Sequence, residues 1–108
     1  MATEIRQVGD QYAVVPASST ALVLGGGHLG GRVTGVLIIP ATTSPGAVSL
    51  IDTSGAGTTI TVFPGGASSV ASLAPIFIPI TISTANSTGK WECTTGANVS
   101  AVVQGLFS

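Results

Sequence analysis

Apolar residues in this chain never recur at helical spacing over three turns; β-branched residues come instead in short runs separated by Gly, Pro, Ser and Thr. An amphipathic helix cannot be built from that pattern, so the expected fold is all-β. At 108 residues the chain is one domain of ordinary size, long enough for a core without disulfide or metal staples. We expect a single antiparallel β-sandwich or jelly-roll-like domain of roughly eight short strands over residues 12–108. A flexible N-terminal arm over residues 1–11 is expected to precede it, because Glu4, Arg6 and Asp10 sit there among few apolar residues.

The plainest strand is Ile76–Ser83, where Ile76, Ile78, Ile80 and Ile82 alternate with Phe77, Pro79, Thr81 and Ser83. Its isoleucine face is expected in the core. Pro79 has no N–H for a ladder, which places the strand at a sheet edge or a bulge. Arg32–Ile39 reads as the central strand, with Val36 to Ile39 buried on both faces and Gly35 marking a bulge or close contact. Ala47–Asp52 and Thr58–Phe63, joined by the turn residues Asp52–Gly57, are expected to complete a meander with it. The small-residue stretch Ala67–Ala74 is expected to cross between sheets. Lys90–Thr94 and Val99–Phe107 about the turn Thr95–Asn98 are expected to form a closing hairpin, and Tyr12–Val15 and Thr20–Leu24 to be weaker strands.

Composition bears on how such a sandwich meets its surroundings. Only 6% of residues are charged while 44% are hydrophobic, against about a quarter charged in ordinary soluble domains. A surface so poor in ions is suited to contact with other protein. Arg6, Arg32 and Lys90 are scattered and the formal net charge is -1, which gives no electrostatic reason to expect nucleic acid. No apolar run approaches the roughly 18 residues of a membrane span, and the polar start lacks a signal-peptide core. Synthesis in the cytosol is therefore expected, and the sequons at Asn86 and Asn98 read as chance matches. The single Cys93 forms no internal disulfide and reads as a buried apolar residue.

Chemistry finds little to work with. The run Gly25–Gly31 lacks the following helix and the Lys-Ser/Thr pair of a nucleotide loop, since Arg32 begins a strand. His28, the one histidine, has no Cys, Asp or Glu at ligand spacing and reads as an exposed loop residue. Glu4, Asp10, Asp52 and Glu92 form no acid–base pair, and the serines are turn or strand-surface residues. We therefore assign no catalytic, cofactor-binding or metal-binding residue, and expect no cofactor and no enzymatic activity. Trp91 and Tyr12 could stack a sugar, although lone aromatics more commonly fill a core or an interface.

Three segments resemble small phage head-decoration or capsid-cement proteins. They are Gly31-Arg32-Val33-Thr34-Gly35-Val36-Leu37-Ile38-Ile39, Val48 to Thr58 with its Asp52-Thr53-Ser54 loop, and Trp91 to Val99 leading into a Val-rich terminal strand. The resemblance covers residues 20–107; the chain departs from it in the Pro64–Pro75 connection and the Gly25–Gly31 loop. It implies a non-enzymatic β-sandwich subunit of the virion, made in the host cytoplasm and placed on the capsid surface. The implied partners are the major capsid protein and further copies of the chain in a homotrimer, with no nucleic acid and no membrane. A host-glycan-binding module of a fibre, tail or head spike is the alternative.

Overall fold

The computed structural model describes residues 11–25 and 29–106, and they form two antiparallel sheets packed face to face. The strands are β1 (Gln11–Val15), β2 (Leu22–Val23), β3 (Arg32–Pro40), β4 (Val48–Asp52), β5 (Thr58–Phe63), β6 (Ile76–Ile78), β7 (Ile82–Ser83), β8 (Trp91–Thr95) and β9 (Val99–Leu106). Sheet A runs β1-β9-β3-β6, with β7 also on β3, and sheet B runs β2-β8-β4-β5. The all-β sandwich read from the sequence is thus the fold.

The pairing follows one rule. β1 pairs with β9, β2 with β8, β3 with β6 and β7, and β4 with β5, so the chain is one long antiparallel hairpin wrapped across two sheets. Counting β6 and β7 as one interrupted strand gives the eight-stranded jelly-roll order. The interruption falls at Pro79, where the missing N–H breaks the ladder, and this strand does lie on an edge of sheet A. Its isoleucine face corrects the expectation. Ile78, Ile80 and Ile82 are only partly buried against the core and Ile76 is exposed, because an edge strand has a covering neighbour on one side only.

Two further corrections share a cause. β3 does not form a meander with β4 and β5, and β8 and β9 are not a hairpin: in each case the turn between them carries the chain from one sheet to the other. Turn residues alone mark a change of direction, not which sheet receives the next strand. The crossing predicted for Ala67–Ala74 holds, since β5 lies in sheet B and β6 in sheet A. Gln11, placed in the arm by composition, pairs with Gly105 as the first residue of β1. The rest of the arm call lies outside the described residues, as do His28, Gly26, Gly27 and Phe107.

The core lies between the sheets and includes Val15, Leu24, Val33, Val36, Ile38, Leu50, Trp91, Cys93, Val99 and Val103. β3 is central, with β9 on one side and β6 and β7 on the other. Val33 and Val36 are three apart, so a period-2 strand puts them on opposite faces; a bulge between Val33 and Gly35 rephases the strand and turns both inward. Leu37 and Ile39 are then directed outward and only half-buried, which corrects the expected burial of Val36–Ile39 on both faces. The crossings β1–β2, β3–β4 and β8–β9 meet at one end, where Gly46 donates to Ala97 O, Gly96 to Ala47 O and Ser18 to Gly96 O at 2.8, 2.8 and 2.9 Å. A Cβ on Gly46 would lie 2.7 Å from the Gly96 Cα, so the crossings approach this closely only because both residues are glycine.

Candidate functional site

The faces of the sandwich differ in chemistry. On the outer face of sheet A the register aligns Val14 with Val102, Val102 with Leu37 and Leu37 with Phe77, an apolar row across four strands. The Phe77 ring lies over Gly35, whose Cβ would fall 2.5 Å from the ring, and remains 52% exposed. This is the close contact read into Gly35. On the outer face of sheet B the corresponding rows hold Ser49 with Thr61 and Thr94, and Ile51 with Thr59 and Glu92. That face is mostly hydroxyl-bearing.

Exposed apolar side chains are not spread evenly. Of the nine large ones that are exposed among the described residues, four lie on β1 and β2: Tyr12, Val14, Leu22 and Val23. Three more, Ile60, Ile76 and Phe77, lie on β5 and β6. β1 and β2 end the two sheets on one flank of the sandwich, and β5 and β6 end them on the opposite flank. None of these four strands carries a charged residue. Edge strands are ordinarily protected by charge, proline or shortness. Here β2 is two residues long, the β6–β7 strand is broken at Pro79 and β5 carries a bulge between Thr61 and Phe63, but β1 has no such device.

Trp91 is 2% exposed and donates through Nε1 to Gly31 O at 3.0 Å. Its ring is core, and a sugar cannot stack on it. Tyr12 stands alone on β1 at 71% exposed. Asp52, passed over in the sequence because it has no acid–base partner, is a buried carboxylate fully engaged in structure. Oδ1 accepts the Ser54 N–H at 2.9 Å and Oδ2 the Ala85 N–H at 2.8 Å, which ties the β4–β5 turn to the segment before β8. Burial acts to raise its pKa, but the Ser54 N–H, the Ser54 hydroxyl and the Ala85 N–H outweigh it and hold the carboxyl below its ordinary value. The Asp-x-Ser spacing is the sequence signal for such a turn. Cys93 is buried as expected, and burial pushes its thiol up to about 12.

Among the described residues no group of three or more His, Cys, Asp or Glu is placed to hold a metal ion, and no buried side-chain polar atom lacks a partner. Among the described residues no helix is long and apolar enough to cross a membrane. The surface offers uncharged apolar contact at its flanks and on one face. Comparison with protein-family models, curated proteins and solved structures finds no match to this chain.

Proposed function

We propose that this protein is a structural virion subunit, a decoration or cement protein that binds the outer surface of a phage capsid as a homotrimer and stabilises the shell. The observation that carries this reading is the concentration of exposed, uncharged apolar side chains on the flanks and the sheet A face. Such surface is a liability on a free monomer and is what a protein contact buries. The jelly roll is an architecture that viral coat subunits and lectins share, so the fold alone does not choose between them. The aromatics argue against the lectin. Trp91 is buried, and the exposed Tyr12 and Phe77 lie on opposite flanks and cannot converge on one sugar.

The action is mechanical. A ligand that binds the assembled shell and not its separated subunits stabilises the assembly by mass action. The test is co-sedimentation of the purified chain with empty shells assembled from phage major capsid protein. Saturable pelleting, with a rise in the temperature at which the shells open, is the expected result. Failure to pellet at any concentration, together with retention on a glycan array, would replace this reading with the glycan-binding one.

A further inference from the structure

We infer that the outer face of sheet A is the side this chain lays against the shell, and that the patch of coat protein beneath it is apolar and bordered by a carboxylate. The inference rests on the reading of the chain as a capsid-binding subunit, and names which face binds and the chemistry of what it meets.

The two outer faces divide by chemistry. Beside the row Val14, Val102, Leu37 and Phe77, sheet A adds Tyr12 next to Gln104 and Ile39 next to Ser100. Tyr12 and Val14, at 71% and 61%, are the most exposed large apolar side chains among the described residues. Sheet B instead turns Ser49, Thr59, Thr61 and Thr94 outward, with Glu92 among them. Hydroxyls and a carboxylate lose their water partners on burial, whereas an apolar face gains by leaving water. Sheet B is thus the face suited to solvent and sheet A the one suited to contact.

Charge narrows the partner. Arg32 is the only charged residue in the five strands of sheet A. It precedes the inward-facing Val33, so it stands on the outer face, where it pairs in register with Ser83 and Leu106 at one end of the apolar row. A surface that complements this one is apolar under the row and carries an acid at the rim beside Arg32. A second sheet A does not fit that description. None of its strands contains Asp or Glu, so a face-to-face pair of copies would leave both arginines without a counter-charge.

Extent separates a single partner from a lattice. Four strands about 4.8 Å apart are about 19 Å across, and β3 and β9, nine and eight residues long, run about 27–30 Å. With the shorter β1 and β6 at the sides, the face covers about 450 Å². A stable pair of proteins buries about 800 Å² per partner, so two copies joined by this face alone would separate. A shell presents the same patch many times. A subunit of three copies that engages three patches at once covers roughly 1,300 Å², and linked contacts of this kind gain on the order of 10²–10⁴ in avidity. A face too small for a pair is sufficient on a lattice.

The test is pelleting of the full chain with shells assembled from phage major capsid protein, comparing wild type with Val14→Glu and Arg32→Glu on sheet A and Thr59→Glu on sheet B. All three positions are exposed in the free chain, so circular dichroism and solution mass are expected to stay unchanged. Val14→Glu should weaken pelleting at least about ten-fold, because its charge is pressed against an apolar patch. Thr59→Glu should pellet as wild type does. Binding of the wild type should weaken as salt rises, and Arg32→Glu should bind less well at low salt and lose that dependence. Undiminished pelleting of Val14→Glu, loss of pelleting in Thr59→Glu, or a fall in the solution mass of Val14→Glu would overturn the inference while the shell reading stands. Failure of the wild type itself to pellet would sink the shell reading, and the assignment of its contact face with it.

Discussion

Removing the Asp52 carboxylate tests whether one buried side chain secures the end of the sandwich away from the glycine crossings. In Asp52→Ala the Ser54 N–H, in a buried hydrogen bond, loses its acceptor, which costs about 1–3 kcal/mol. The Ala85 N–H is partly exposed and can turn to water, so its loss is nearer the net value of a hydrogen bond, about 0.5–1.5 kcal/mol. Together the variant is expected to lose about 2–4 kcal/mol, a large share of the roughly 5–15 kcal/mol that holds a domain. Urea unfolding followed by circular dichroism measures it, and the melting temperature should fall by on the order of 10–20 °C. The pH dependence supplies a second arm. Because the folded-state pKa is depressed, the contribution is complete above the ordinary Asp value of roughly 3.9 and is lost as the pH falls through the lower folded value. Wild-type stability should therefore drop below about pH 4 more steeply than that of Asp52→Ala. A variant within about 0.5 kcal/mol of wild type at pH 7, or one with the same acid slope, would refute the reasoning.

Other expectations follow from the same structure. The Cys93 thiol should resist iodoacetamide in the folded protein and react on unfolding. With its folded pKa raised to about 12, stability should decline as the pH rises past the ordinary thiol range; rapid labelling of the folded chain contradicts this. Gly96→Ala would drive a methyl group against the Gly46 backbone, 2.8 Å from its Cα, and should cost about 1–3 kcal/mol by urea titration; a neutral substitution would show that the crossings can separate. Leu50→Ala, wholly buried in β4, should cost about 2–5 kcal/mol, while Ile76→Ala at the exposed edge should cost well under half of that. Equal costs would mean that the edge strand belongs to the core after all.

What the sequence made legible were local features. Alternation and turn residues located most of the strands, because the period of two in Ile76–Ser83 and the stops at Pro40 and Pro64 are properties of neighbouring residues. Pro79 at an edge, Gly35 at a bulge and a buried Cys93 came from the same source. The sheet to which each strand belongs did not. The turns before β4 and before β9 look like hairpin turns, and only the tertiary pairing of β3 with β9 and of β4 with β8 shows that they cross. The candidate surfaces were legible only as a shortage of charge. Their grouping on opposite flanks depends on β1 and β2 ending the two sheets on one side, a fact of topology that no local pattern encodes. Asp52 was visible as a turn former but not as a buried acceptor, because the Ala85 N–H that completes its site comes from 33 residues away.

The mass of the wild-type protein in solution, measured by light scattering over a hundred-fold range of concentration, tests the proposed homotrimer most directly. A value three times the 10.5 kDa of the chain, unchanged on dilution, is the predicted result. A monomer of 10.5 kDa across that range would contradict it, since the apolar flanks would then be stable in water with nothing to cover them.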